Sequence, residues 1–252
     1  MGRPLADLPQ VLRAVLYVLK EGASWRALDA HGAGWQTVHG HFRRWCHSGL
    51  RDQIMQQLPW HSRRRLVMVD ATHIKVHRDG ANPAGGQAAQ AMGRTKGGLN
   101  TKLHALTDDR SQPQCLILTA GPEADVVHAP SLLEAASARH VPMDRAYDSD
   151  ALREFVAAKG MQACIPPRKN RNDPAPYNVD LYKKRHHVEN YFEKLKRCRR
   201  IATRYDKTAD SFMAFVLIAC CVLNLRIAIL KHALGKRRHH EQSLRSGGRV
   251  ET

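Results

Sequence analysis

The 252-residue chain is 43% apolar and carries 40 Lys and Arg against 23 Asp and Glu, a formal charge of +17. The length suits one large domain or a small module ahead of a core, and the apolar share fits a folded protein. A chain this basic usually meets nucleic acid or an anionic membrane surface, and arginines spread along the whole sequence suit tracking along a phosphate backbone. Six cysteines (Cys46, Cys115, Cys164, Cys198, Cys220, Cys221) with no C-x-x-C spacing indicate reduced thiols and exclude a zinc knuckle or disulfide framework. The N-terminal MGRPLADLPQ lacks the apolar core of a secretory signal.

Residues 8–20, LPQVLRAVLYVLK, repeat leucine and valine at helical spacing, and Gly22 stops that helix. A glycine-rich turn, HGAGW at 31–35, leads to a second helix from Thr37 to Cys46 carrying Arg43 and Arg44. Residues 1–58 therefore read either as a helix-turn-helix DNA-binding module or as a plain helical bundle with core tryptophans. PWHSRRR at 59–65 reads as a basic linker. A new pattern begins at LVMVDATHIKV (66–76), apolar on both faces at its start as a central strand should be. Residues 80–98 form a glycine-rich loop without the Gly-Lys-Ser/Thr of a P-loop. Strands follow at 100–108 and 114–121, a helix at 125–139, a strand at 141–148, a helix at 149–160 and a strand at 161–167. A long helix starts near Asp180. The apolar run 212–230 reads as a buried closing helix, since Asn224 and Arg226 are costly in lipid. Residues 233–252 read as a basic, disordered tail. Over 66–232 the order β-β-β-α-β-α-β-α is the layout of a ribonuclease H-like α/β domain, a mixed five-stranded sheet between helices.

Two acids stand out against that layout. Asp70 interrupts an apolar strand, where an ionised carboxylate loses solvation and needs a cation or strong donors. Asp144 ends a strand, so the two can converge above neighbouring strand ends, and two close carboxylates that stay ionised imply a divalent cation. Asp108, Asp109 and Asp148 are rivals, the first two as turn residues and the third as a helix start. At about 100° per residue, Tyr182, Arg185, Glu189 and Lys196 share one narrow helical stripe beside the apolar stripe of Val188, Phe192 and Leu195. Glu189 borders the core, whereas Glu193 points further out and can pair with Arg197. The cations Lys194, Lys196, Arg197, Arg199, Arg200 and Arg204 form a cluster with few acids, suited to a salt-dependent hold on DNA.

The spaced Tyr182, Arg185, Glu189 and Lys196 match the signature of the DDE transposases of bacterial insertion sequences. The chain more closely resembles the insertion-sequence-five family, through MVDATHIKVHR, GRTKGGLNTKLHALTD, MDRAYDSD, IPPRKNR and LKRCRRIATRYDK, and through WRALD and GWQTVHGHFRRW ahead of them. The resemblance runs from about residue 2 to 230. It implies a catalytic, metal-holding triad of Asp70, Asp144 and Glu189, two Mg²⁺ ions for which Mn²⁺ can substitute, and binding of double-stranded DNA at terminal inverted repeats and at a target. It also implies phosphate contacts by Arg185 and Lys196, DNA binding by Tyr182, a homodimer in the synaptic complex, and a bacterial cytoplasmic, nucleoid-associated location. Arg145-Ala146 stands where lysine and glycine are more usual, and family members commonly carry a few dozen residues ahead of this N-terminus, so a shortened DNA-binding module is expected. Two other functions stay open: a DNA-binding remnant or regulator without strand transfer, and a metal-dependent nuclease that cuts but does not join.

Overall fold

A computed structural model describes residues 7–31, 34–49, 53 and 64–225. Its centre is a seven-stranded mixed sheet built from β1 (Arg64–Val76), β2 (Gly93–Thr95), β3 (Gly98–Asp108), β4 (Pro113–Ala120), β5 (Ala138–Pro142), β6 (Gln162–Cys164) and β7 (Thr203–Arg204). β3 lies antiparallel between β1 and β4, with Asp70 opposite Ala105, and the short β2 also pairs with β3. On the other side of β1, β5 and then β6 continue in parallel. The ladder to β5 ends at the Leu66–His140 pair, and the ladder to β7 begins at Lys75 and Thr203. Asp70 lies in the stretch between them.

Both faces of the sheet are covered, which is why β1 opens with an unbroken apolar run. Side chains alternate along the strand. Leu66 and Met68 enter a core with α1 (Leu8–Glu21), α2 (Trp35–His47), α6 (His186–Lys196) and the helix α8 over 209–225. Val67 and Val69 enter the opposite core with α3 (Asp125–Leu133), β5 and α4 (Asp150–Ala158). The N-terminal helices share the first core: Phe42 stacks on Phe215 of α8 at 4.4 Å, and Trp25 lies 5.8 Å from the same ring. Gly22 ends α1 at φ 68°, and any Cβ there would meet Arg199 Cβ at 3.0 Å, so both the backbone conformation and the close approach require glycine. Tyr191 meets Cys220 at 2.9 Å, and none of the six cysteines is in a disulfide.

Several elements differ from their sequence reading. The five strands read from the sequence correspond to β1, β3, β4, β5 and β6; β2 and β7 are additional, each too short to show a period. The helix read over 125–139 stops at Leu133, because residues from Ala138 pair in parallel with β1, and tertiary pairing overrides local helix propensity. The strand read over 141–148 accordingly lies earlier, leaving Asp144 just beyond it. The long helix from Asp180 is broken into α5 (Val179–Lys183) and α6, with Lys184 and Arg185 between them, and α7 (Arg199–Ala202) follows. Among the described residues no helix is long and apolar enough to cross a membrane. Most of the basic stretch at 59–65, and all of the tail at 233–252, lie outside the described residues.

Two cations read from the sequence as a hold on DNA prove to be interior. Arg204 is fully buried; its guanidinium donates to Thr101 Oγ1 at 2.6 Å and to the Asp206 carbonyl at 2.9 Å, and it faces the Phe212 ring. Arg200, 5% exposed, grips both carboxylate oxygens of Asp206 at 2.9 and 3.2 Å and reaches the Ala23 carbonyl. A guanidinium buried in the core and bonded to protein acceptors is out of reach of a phosphate, so both leave the DNA-contacting set. They tie the segment after α6 to β3 and to the end of α1. Arg204→Ala should therefore lower stability by about 2–4 kcal/mol through the cavity and the stranded acceptors, while Arg197→Ala, at an exposed position, stays within about 0.5 kcal/mol. Urea midpoints of the two variants measure the difference, and equal midpoints would contradict the interior role.

Candidate active site

Alternation along β1 sets Asp70 on the face of Leu66 and Met68, towards α6. Its side chain is only 15% exposed. One carboxylate oxygen accepts the Ala71 N–H at 2.9 Å; the other accepts Arg185 Nη1 at 2.6 Å. Burial pushes the Asp70 carboxyl up to about 6 despite Arg185, and the negative charges of Asp144 and Glu189 push it the same way. Two carboxylates distant in sequence thus lie close enough to act on Asp70.

The break between α5 and α6 explains how. Arg185 stands at the N-terminal end of α6, and its guanidinium donates to Asp70 on one side and to Glu189, one helical turn on, on the other. The Tyr182 ring lies 5.9 Å from that guanidinium, which orients it by a cation–π contact. Val188, Phe192 and Leu195 are buried as their spacing predicts, and Glu189 stands beside them with its side chain 49% exposed. Lys196, at the far end of α6, donates to Thr72 Oγ1 at 2.6 Å and to the His73 carbonyl at 3.2 Å. All four residues of the stripe therefore lie against one another or against β1, and Arg185 and Lys196 are held by protein atoms. Glu193 is exposed, and the pair expected with Arg197 is not made among the described residues. Arg197 is exposed too, Arg199 stands 3.7 Å from Glu21, and Arg43 and Arg44 are exposed on α2, outside this cluster.

Asp144 follows β5 and caps a tight turn, its Oδ1 accepting the Ala146 N–H at 2.6 Å. Below it Tyr147 is fully buried, with a hydroxyl that has no hydrogen-bond partner among the described residues. Asp148 is not a member of the carboxylate cluster. It accepts from Arg153 at 2.9–3.0 Å, from Arg171 at 3.1 Å and from the Arg168 N–H at 2.8 Å. Burial alone would raise its carboxyl, but these donors bring it below the ordinary value. Asp148 thereby fastens the loop after β6 to the Asp144 turn. That clamp was missed in the sequence reading, although the arginines of IPPRKNR were its visible signal. Asp108 satisfies its own turn, accepting from Arg110 and Gln112 at 2.9 Å.

Among the described residues no group of three His, Cys, Asp or Glu side chains is arranged to hold a metal ion. The donor set nevertheless fits one: Asp70, Asp144 and Glu189 offer only carboxylate oxygens, the ligands of hard divalent ions, and two of them already close on a positive charge.

The sheet order with helices on both faces defines a ribonuclease H-like α/β domain. Comparison with known proteins agrees. Models described as transposase DDE domain match residues 61–174 and 141–226, and one described as putative transposase of the IS4/5 family matches residues 1–55. A putative transposase for insertion sequence element IS6501 of Brucella ovis is 41% identical over 131 residues, covering 51% of this chain and all of the relative. A putative transposase for insertion sequence element IS402 of Burkholderia cepacia is 28% identical over 174 residues, covering 64% of this chain and 75% of the relative. The piggyBac transposase in a synaptic complex with hairpin DNA shares the fold at TM-score 0.52 and 9% identity, over 88% of this chain and 66% of that one. The chain belongs to the DDE transposases of insertion sequences, enzymes that cleave and transesterify DNA and generally use divalent metal ions.

Because Asp148 is depressed in the folded state, its contribution is present above the unfolded aspartate value of about 3.9 and is lost as pH falls through the lower folded value. Asp148→Asn should cost about 3 kcal/mol near neutral pH, as for a broken buried pair. The gap to wild type should close with acidification. Denaturant unfolding across pH tests this, and a gap that widens in acid would contradict it.

Proposed function

We propose that this transposase binds the terminal inverted repeats of its element, cuts the DNA at their ends and joins them to a target, with Asp70, Asp144 and Glu189 as the catalytic carboxylates. The observation that carries this reading is the single guanidinium of Arg185 shared by Asp70 and Glu189, with Asp144 close enough to perturb Asp70. Mg²⁺, or Mn²⁺ in its place, would be held by these three carboxylates and would supply Lewis-acid stabilisation of charge at the scissile phosphate.

The chain's own residues account for the remaining work. The ladder to β3 fixes Asp70, the Ala146 N–H fixes the Asp144 carboxylate, and the Lys196 contact to β1 keeps α6, and so Glu189, beside Asp70. Arg185 supplies positive charge where a phosphodiester would enter. In the first step water attacks phosphorus and the 3′ oxygen leaves as a hydroxyl. In the second that hydroxyl attacks a target phosphorus, displacing another 3′ oxygen, so one phosphodiester replaces another without a covalent protein–DNA intermediate. Lys194, Arg197 and Arg199 would hold backbone phosphates. The N-terminal helices, with Arg43 and Arg44 outward, would serve end recognition. Two ends joined in one complex call for a homodimer on double-stranded DNA, working at the bacterial nucleoid.

Asp70→Ala, Asp144→Ala and Glu189→Ala should each lower Mg²⁺-dependent cleavage of an end-bearing duplex by about 10³-fold or more, equivalent to about 4 kcal/mol. DNA binding should survive, and Glu193→Ala should cleave normally. Incubation with end-bearing DNA and a target plasmid separates the alternatives: joined products support the transposase, nicks alone indicate a nuclease, and a mobility shift without cutting indicates a binding protein. Normal cleavage by Glu189→Ala with loss in Glu193→Ala would overturn the assignment.

A further inference from the structure

Of the three carboxylates proposed as metal ligands, Asp70 and Glu189 share the Arg185 guanidinium, whereas Asp144 is held otherwise. Among the described residues its carboxylate accepts one hydrogen bond, from the Ala146 N–H at 2.6 Å. The direction of Asp144 is therefore set by the peptide that carries this N–H. That peptide lies in the short turn Arg145–Tyr147, which is exposed at Arg145 and Ala146. An exposed turn of three residues has little stability of its own.

The loop after β6 supplies what the turn lacks. Pro166 and Pro167 restrict its backbone. The Ile165 carbonyl accepts Arg153 Nη2 at 2.9 Å, the Arg168 N–H donates to Asp148 at 2.8 Å, and Arg171 Nη1 donates to the same carboxylate at 3.1 Å. From this fixed backbone the Arg168 side chain reaches over the turn. Its Nη2 donates to the Ala146 carbonyl at 2.8 Å, and its Nε makes a longer approach to the Arg145 carbonyl at 3.5 Å. The Arg145 carbonyl and the Ala146 N–H are two ends of one planar peptide, and the Ala146 carbonyl belongs to the next. One guanidinium thus spans both peptides that flank Ala146, the residue whose N–H aims Asp144. Charge alone gives it no such use, because a cation near a site for divalent ions weakens their binding. Arg168 can help a metal only through the turn that it holds.

We propose that Arg168 is a positioning residue for the carboxylate site. By holding the Arg145 and Ala146 carbonyls it fixes the Ala146 N–H, and through it the direction in which Asp144 presents its oxygens to a divalent ion. The inference rests on the reading of Asp144 as a metal ligand. Groups that orient a metal ligand from behind change metal affinity by about 10- to 100-fold when they are removed.

The test compares full-length wild type with Arg168→Ala and Asp144→Ala. Arg168→Ala keeps the backbone N–H that Asp148 accepts, so the loop stays clamped and the urea midpoint should match wild type. Manganese binding is followed by loss of the free-ion signal in electron paramagnetic resonance, with an end-bearing duplex present. Arg168→Ala should weaken it by about 10- to 100-fold. The manganese concentration for half-maximal cleavage should rise, while the rate at saturating metal changes little. In the metal-free protein, amide hydrogen exchange over residues 143–149 should quicken. Loss of a cation without loss of positioning has the opposite sign, so unchanged or tighter manganese binding, or exchange as slow as in wild type, would overturn the role. Weaker DNA binding with manganese affinity intact would also overturn it, and would make Arg168 a phosphate contact. Asp144→Ala separates this inference from the reading beneath it. If Asp144→Ala binds manganese as wild type does, the carboxylate reading itself falls; if it binds weakly and Arg168→Ala does not, only the positioning role fails.

Discussion

A carboxylate set into the apolar run of β1 has to be answered by positive charge, and the rest of the site follows from how that is done. At 15% exposure little solvent reaches Asp70, and the one strand amide that it accepts, that of Ala71, does not balance its charge. Arg185 answers it from the break between α5 and α6, at the start of the second helix. The same guanidinium then gathers Glu189. One electrostatic requirement, imposed by a single residue in a buried strand, thus brings an otherwise exposed glutamate into register with it.

Sheet topology places the third carboxylate. β5 pairs with β1 only at its start, so the chain leaves the sheet at Met143 beside the stretch of β1 that holds Asp70, paired there to β3 but not to β5. This is the crevice at the carboxyl ends of parallel neighbours where open α/β sheets bind ligands. The Asp144 turn does not float there. Asp148, locked by Arg153 and Arg171, fastens it to the loop after β6, and buried Tyr147 supports it from below. Behind the site, Arg200 and Arg204 spend their charge on protein acceptors to tie α7 and β7 to the sheet and to the N-terminal helices.

Much of this was legible in the sequence because it follows from period and burial. An acid after Leu66-Val67-Met68-Val69 is conspicuous in any buried strand, and the stripe of Val188, Phe192 and Leu195 separates Glu189 from Glu193. What the sequence concealed depends on partners distant in the chain. The strands β2 and β7 exist only through pairing with β3 and β1, and the 125–133 helix is cut short by pairing of the residues that follow. The interior arginines show the same limit most clearly. In LKRCRRIATRYDK all the cations look alike, yet Arg197 is exposed while Arg204 is buried, because the local sequence does not record whether an acceptor such as Thr101 waits across the fold. Helix count carried the reading across the break at Lys184 and Arg185 only because the i, i+4 relation of Arg185 to Glu189 survives it.

The proposed cation site joins Asp70, Asp144 and Glu189 around the Arg185 guanidinium, which already bonds two of the three. Anomalous diffraction from crystals of the full-length protein bound to end DNA and Mn²⁺ tests it most directly. Anomalous peaks ligated by Asp70, Asp144 and Glu189 are expected, with the Arg185 guanidinium withdrawn from the two carboxylates it bridges. Manganese ligated by Glu193 in place of Glu189, or bound away from Asp70 with the Arg185 bridge intact, would contradict it.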